Sequence, residues 1–456
     1  MSVASSPSSG QEFQPVSFED GIIGKFEHFI TDRWEPGRMW SRAIPTALVS
    51  MGVAQVELSD RMGVLKPNMF FVNISPSGTG KSPPLRLGKH VMKRFEPTYP
   101  APGKFTPPGF TQRVLGLSMR NGQQVQGTPH PYNLIASDEM SKLLGLSKGP
   151  GPFSENLEFF SELWDGEIEG QITRTYGYEG SVPVYASLMG ASSDLFLSRL
   201  EDDFFIQGTG NRILFMRETV NPKDINGDEF FFPLGRDPER ENLIEDTVQK
   251  LKFLQSCRGA IIMPADIWAE YRNRIARQAA AGGATLESSY LIKMPENALK
   301  LAINYAASRL SVRQDQQLGY MVNVFEEDMR RAIEDIETYN ELRKKVLDAW
   351  REVRYESRRR PMLPTTSDYE LGRMVMLSAK PHGWLMTRSS VQGDLDLANP
   401  TEVNNILAAG VAGGYLEEIS DPGKELTREQ YIHFKHRGGP YPQVFKVTEK
   451  GVTRFD

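Results

Sequence analysis

The stretch that most constrains this chain is Phe70-Phe71-Val72-Asn73-Ile74-Ser75-Pro76-Ser77-Gly78-Thr79-Gly80-Lys81-Ser82. A short apolar run of strand length leads directly into a glycine-containing loop that closes on Gly-Lys-Ser. That order predicts a phosphate-binding loop, in which backbone N–H groups wrap phosphate oxygens. Ser77, Gly78, Thr79 and Gly80 would line the cradle. Lys81 would reach the β- and γ-phosphates of a nucleotide, and the Ser82 hydroxyl would ligate Mg²⁺. Two features depart from the usual pattern. Ser75 stands where the first glycine of G-x-x-x-x-G-K-[ST] belongs, and Pro83 and Pro84 open the next helix. Proline is tolerated in a first helical turn, although Pro83 has no N–H to give a ligand.

A second motif lies downstream. Tyr132-Asn133-Leu134-Ile135-Ala136-Ser137-Asp138-Glu139 is a small-to-apolar run ending in two adjacent acids. In a P-loop ATPase such a strand delivers an aspartate to the Mg²⁺ shell and a glutamate to the attacking water. Phosphoryl transfer requires both, because the protein chiefly positions groups and neutralises charge spreading over the γ-phosphate. Asp138 lies 57 residues after Lys81 (138 − 81). That interval holds a helix, a strand and their connections, as a parallel sheet needs.

At 456 residues the chain predicts roughly three domains. Its 39% apolar content fills substantial cores and excludes global disorder. No run of 18 apolar residues occurs, so no membrane span is expected. Residues 1–16 read as a disordered leader, without the basic start and apolar centre of a secretion signal. The single Cys257 excludes an internal disulfide framework and a multi-cysteine zinc site, which fits a reducing cytoplasm. A net charge of −5 argues against nucleic acid on every side and leaves room for a local basic lining, such as the inside of a ring.

Residues 17–60 read mostly as helix, on the apolar stripe Phe18, Ile22, Ile23, Phe26, Phe29 and Ile30. The loop-bearing strand, a helix over 85–95, a short helix over 112–119 and the Asp138-Glu139 strand follow. A helix over 153–164 precedes an alternating run, Gly170–Tyr178, and a buried strand ending in Gly190-Ala191-Ser192-Ser193. Residues 194–200 suggest a helix, and Gly208–Met216 runs from loop into strand. The Pro-, Gly- and Asp-rich loop from Val220 to Glu239 bounds a first domain over 17–240. Residues 241–355 read as nearly all helix. The last segment, 365–456, has helices at 367–379, 387–395 and 400–412, then strands at 415–419 and 444–448, a winged-helix pattern. His433 and His436 lie in its loop beside Lys435 and Arg437 without clustered acids, so a metal site there is not expected.

With these pieces in order, the chain resembles the P-loop ATPase domain of phage- and plasmid-type DNA helicase/primase-like proteins, an AAA+ family. It is also similar to the ATPase core of the minichromosome-maintenance replicative helicases. The resemblance covers roughly residues 17–345 and rests on PNMFFVNISPSGTGKSPPL, LIASDEMSKLL and GTGNRILFM, taken in that order. It implies an α/β AAA+ core, a helical lid and a C-terminal winged helix, working with ATP and Mg²⁺. Lys81 and Ser82 would then serve phosphates and metal, Asp138 the metal, and Glu139 the water. Ser192 falls where these ATPases place a polar sensor of the γ-phosphate, with Ser193 as its rival. Arg212 falls where a finger is supplied to the neighbouring subunit's ATP, with Arg199 as the alternative. The second sensor stays unassigned between Lys293 and Lys300.

The function this implies is an ATP-driven DNA motor of the replicative-helicase type, acting on single-stranded or forked DNA as a homo-oligomer, a hexamer by the resemblance. An ATP-switched initiator or helicase loader without unwinding activity is the alternative, and a small-molecule phosphotransferase the third reading. Arg174, Tyr176 and Tyr178 alternate on the run before the buried strand. They suit either base stacking or half-buried packing.

Overall fold

The computed structural model describes residues 14–359 with gaps, the longest at 144–152, 170–179 and 219–236. Beyond 359 it describes only Ala379, 384–387 and short pieces between 404 and 452. By contacts the chain divides into two compact units, Met1–Val353 and Arg354–Asp456.

The first unit opens with helices α1 (Ile22–Trp34) and α2 (Arg38–Gly52), followed by a hairpin of β1 (Leu58–Asp60) and β2 (Gly63–Leu65). Strand β3 (Phe70–Ile74) and helix α3 (Ser82–Phe95) flank the glycine loop. Next come α4 (Pro107–Leu115), a hairpin of β4 (Leu117–Arg120) and β5 (Gln123–Gln126), and β6 (Tyr132–Ser137). The turn α5 (Met140–Leu143), α6 (Phe153–Asp165) and the short pair β7 (Glu167–Ile168) and β8 (Val182–Pro183) lead into β9 (Tyr185–Ser192). A 3₁₀ turn over Asp194–Arg199 and the helical turn α7 (Thr209–Arg212) precede β10 (Leu214–Met216).

Strands β10, β3, β9 and β6 form one sheet in that order, and all neighbours run parallel. Beyond β6 the Thr98–Ala101 segment adds a rudimentary parallel edge, where Leu134 donates to Tyr99 O at 2.8 Å and Ala101 to Leu134 O at 2.9 Å. A parallel sheet covered on both faces needs strands that are apolar throughout rather than alternating. β3 (Phe-Phe-Val-Asn-Ile) and all eight residues of β9 are buried. Phe71, Met189 and Leu214 face a core made with α1, α2 and α3. Phe70, Val72 and Phe215 face a second core with α4, α6 and Trp350. Burial of each such side chain contributes about 1.5–3 kcal/mol.

Residues 238–359 complete both cores. They comprise α8 (Pro238–Leu254), β11 (Cys257–Ile262), α9 (Ala265–Ala281), α10 (Leu286–Ser308), β12 (Val312–Asp315), β13 (Gly319–Val324) and α11 (Glu326–Arg359). The expectation of near-continuous helix here is corrected, because β11, β13 and β12 make a three-stranded sheet. β12 and β13 are joined by a tight turn whose Gly319 has φ +80°, a conformation glycine adopts freely. Hairpin strands likewise replace the ends of two expected helices, β1 at 58–60 and β4 at 117–119. The residues assigned to core and lid share one hydrophobic cluster, in which Ile244 and Leu251 of α8 and Ala298 of α10 pack with α2. Val16, at the end of the expected leader, is pinned by Arg309, which donates to its carbonyl at 2.8 Å.

One buried polar network ties four helices together. Arg42 of α2 is 2% exposed. Its Nη1 donates to both carboxylate oxygens of Asp335 on α11 at 2.8 and 2.7 Å, and its Nε and Nη2 reach Glu27 of α1 at 2.7 and 3.0 Å. Tyr305 of α10 donates its hydroxyl to the same Asp335.

In the second unit, β14 (Leu385–Thr387), β16 (Val444–Val447) and β15 (Leu416–Glu418) form an antiparallel sheet in that order. The expected strands at 415–419 and 444–448 do pair. A third strand ends at Thr387, where a helix was expected to start. Asn404, Leu407, Ala408, Gly410 and Val411 are helical. Of the expected helices at 367–379 and 387–395, all but Ala379 and Thr387 lies outside the described residues, as do the loop with His433 and His436 and the Gly170–Tyr178 run. Among the described residues no helix is long and apolar enough to cross a membrane.

Removing one member of a buried charge network leaves the others uncompensated, at a cost of about 3–5 kcal/mol. Arg42→Met, which strands Glu27 and Asp335, is therefore expected to lower the urea unfolding midpoint of the first unit by a corresponding amount. An unchanged midpoint would show that the network does not hold these helices.

Candidate functional site at the carboxyl edge of the sheet

In an open parallel sheet, ligands bind in the crevice outside the carboxyl ends of the strands, where strand order reverses. Here the chain passes from β3 to β6, returns to β9 between them, and then crosses to β10 on the far side of β3. The reversal lies at β3, whose carboxyl end carries the glycine loop. Register brings the other ends level with it. Ile74 lies opposite Ser192 and Ser137 opposite Gly190, so Glu139 ends at the height of Ser192. Gly190 has no Cβ because Met140 occupies that space, its Sδ only 2.4 Å from where the atom would be.

Lys81 is the N-cap of α3, and its ammonium turns back over the strand ends. It donates to Ser192 O at 2.7 Å, to Pro76 O at 3.1 Å and to Ser75 O. Burial lowers its pKa against the opposing pull of Asp194 and Glu139. Ser75, in the place of the first glycine of the pattern, is buried and donates to Asn73 Oδ1 at 2.6 Å. It thus satisfies the side-chain oxygen of Asn73 within β3, while the Asn73 Nδ2 stays buried without a hydrogen-bond partner among the described residues. Thr79 donates its hydroxyl to Pro76 O at 2.9 Å, closing the loop on itself. Ser82 is the first residue of α3 and half-buried, and Pro83 and Pro84 sit in its first turn. Ser77 and Gly78 lie outside the described residues.

The loop rests on the connection between α1 and α2. Gly80 has φ +67°, and a Cβ there would come 2.6 Å from Trp34 O. The Trp40 ring nitrogen donates to Lys81 O at 3.0 Å. Across the crevice Asp138 is exposed, and Ser192 donates its hydroxyl to Glu139 Oε1 at a long 3.4 Å. Lys81, Ser82, Asp138, Glu139 and Ser192 therefore share one edge. Among the described residues no group of three or more His, Cys, Asp or Glu side chains could hold a metal by itself. Mg²⁺ takes oxygen ligands and retains phosphate and water in its shell, so Ser82 and Asp138 suit it as partners to a nucleotide.

Arg212 is elsewhere. Leu214 lies opposite Phe71, which puts Arg212 at the amino end of the sheet, away from its own chain's glycine loop. It ends the turn α7 rather than lying in an extended run, and it donates to Asp165 Oδ2 at 2.8 Å. Arg199, its alternative, ends the 3₁₀ turn after β9. Lys300 is also at the amino end, 2% exposed, donating to Asn68 Oδ1 at 2.9 Å and lying 3.6 Å over the Trp164 ring. Burial pulls its pKa down to about 8. Lys293 pairs with Glu296 at 2.8 Å, beside Lys300. Both candidate second sensors are thus committed to packing at the end of the sheet opposite their own chain's loop.

The sequence reading missed three residues at the carboxyl edge. Asp194 follows β9 and accepts from Arg217, which follows β10. Glu218 is half-buried and accepts from the Met39 and Trp40 amides at 2.9 and 3.0 Å, capping the amino end of α2. The available signal was the one that found Asp138, the first polar residue after a parallel strand.

The chain matches no protein-family model, and no curated protein matches it in sequence.

A methyl group at residue 80 meets both a left-handed backbone and the Trp34 carbonyl. Gly80→Ala is expected to destabilise the first unit by about 1–2 kcal/mol from the backbone alone, measured by denaturant unfolding. Wild-type stability would show that the loop is not seated against Trp34.

Proposed function

We propose that residues 17–353 bind and hydrolyse ATP, and that the chain is the motor subunit of a ring-forming, replicative-type DNA helicase with an AAA+ core. The observation that carries the ATPase reading is the convergence of Gly80-Lys81-Ser82, Asp138-Glu139 and Ser192 at the switch point of one parallel sheet. Lys81 supplies the positive charge that the β- and γ-phosphates require, and the Ser82 amide at the start of α3 adds a backbone N–H donor, Pro83 and Pro84 having none. Glu139 orients the attacking water, and Ser192 holds that carboxylate from the neighbouring strand. Ser82 and Asp138 would hold Mg²⁺, which neutralises charge on the phosphates.

The motor reading adds a trans role for Arg212. Its position at the amino end of the sheet supports delivery to a second copy rather than to its own loop. A hexamer and a DNA substrate come from the family resemblance, together with the antiparallel sheet of the second unit as a winged-helix element. The loader reading uses the same ATP site without unwinding. Strand displacement on forked DNA with ATP separates the two, since the motor unwinds and the loader only hydrolyses.

Two variants test the site. Lys81→Ala is expected to abolish binding of a fluorescent ATP analogue. Glu139→Gln should bind it normally while turnover falls by about 10²–10⁴-fold. A Glu139→Gln protein that loses affinity yet keeps its turnover contradicts the assignment.

Arg212→Ala subunits are expected to bind ATP and hydrolyse it poorly, and mixing them with Lys81→Ala subunits should restore part of the activity through hybrid interfaces. No recovery in mixtures shown to co-assemble would remove the trans role.

A further inference from the structure

A closed circuit of contacts surrounds the glycine loop, and it includes residues for which the ATPase reading has no use. Lys81 O accepts from the Trp40 ring, the Trp40 amide donates to Glu218, and Glu218 is joined in sequence to Arg217. Arg217 donates from both terminal nitrogens to Asp194, at 2.5 and 3.3 Å. Asp194 lies two residues beyond Ser192, whose carbonyl accepts from Lys81. Successive residues of a strand point to opposite faces, and β10 continues that alternation past its end. Phe215 faces one core and Met216 the other, so Arg217 and Glu218 diverge to opposite sides. Arg217 meets Asp194 beside the crevice, and Glu218 is half-buried against α2.

We propose that Arg217 reads the third phosphate of the bound nucleotide and passes its presence to α2 through Glu218. The proposal deepens the ATP-site reading and rests on it. Met216 lies opposite Asn73, so Arg217 emerges level with Ile74, beside the strand that carries the loop. Among the described residues directly following the four strands it is the cation, set against Asp138, Glu139 and Asp194. Its present partner is weakly binding, since the Arg217 and Asp194 side chains are 27% and 40% exposed and such pairs contribute little. A triphosphate seated on Lys81 brings about four negative charges toward Asp194, which repels them unless a cation stands between. Guanidinium binds phosphate bidentately and more strongly than it binds a solvated carboxylate. A diphosphate lacks the oxygens that would draw Arg217 across.

Any shift of Arg217 pulls on Glu218, whose freedom is small. Its carboxylate holds two amides of the first turn of α2, and a Cβ on Gly37 would come 2.4 Å from its Oε2. The same turn carries Trp40, which holds the loop. Arg217 contacts the ligand in this account, Glu218 carries the shift, and α2 is the element that responds.

The test compares ATPγS and ADP, each with Mg²⁺, on the full chain by calorimetry, with hydrogen exchange of the Met39 and Trp40 amides as the second readout. In the wild type, ATPγS should alter exchange at those amides and ADP should not. Arg217→Ala is expected to weaken ATPγS by about tenfold or more, the worth of one charge-assisted hydrogen bond. It should leave ADP affinity unchanged and remove the difference in exchange. Asp194→Asn, which keeps Arg217, should preserve or increase the preference for ATPγS. An unchanged ATPγS-to-ADP ratio in Arg217→Ala, or equal loss of both ligands, overturns the proposal, as does loss of the preference in Asp194→Asn. A wild type that binds both nucleotides through Lys81, with an Arg217→Ala ratio like its own, removes this inference alone. A wild type that binds neither removes the ATP site and this inference with it.

Discussion

A sheet whose strands all run one way collects every carboxyl end on one edge. Each return to the starting end then needs a crossover, as a parallel pair requires. In this chain the constraint places the loop after β3, the acids after β6, the serine and aspartate after β9 and the arginine after β10 along one line. Side chains distant in sequence meet there because backbone register leaves them no other place. The Lys81 ammonium is drawn onto carbonyl oxygens at the ends of two of these strands, β3 and β9.

The edge is held from behind by α1 and α2. Arg42 binds these helices to α10 and α11, while Glu218, Trp34 and Trp40 connect them to the crevice. Structural and site residues therefore alternate along short segments. In α2, Trp40 touches the loop and Arg42, two residues on, anchors the core. Under the proposed ATP site, this adjacency would let a change at a bound phosphate reach α2 without a long relay.

How much was legible depended on how far each signal reached along the chain. β3, β6 and β9 were readable because doubly covered strands leave continuous apolar runs, and the glycine loop was readable because its chemistry is local. The hairpins at 58–65 and 117–126 and the sheet of β11, β12 and β13 were not. Their strands are three to six residues long, and each set borders a helix whose periodicity dominates the window. The Arg217–Asp194 pair was hidden for a different reason. Its members are 23 residues apart and are brought together only by β10 lying next to β3 rather than next to β6. The sequence leaves the second sensor unassigned between Lys293 and Lys300. Burial against Trp164 and Asn68 puts Lys300 at the end of the sheet opposite the glycine loop, a placement that no local pattern carries.

The central claim is that one edge of one sheet is a nucleotide site, and hydrogen exchange along the whole chain tests it most directly. With saturating ATPγS and Mg²⁺, amides of Ser75–Ser82, Asp138–Met140 and Ser192–Asp194 should slow together, while β11, β12 and β13 remain unchanged. Protection confined to other segments, or none at saturating ligand, would contradict the account.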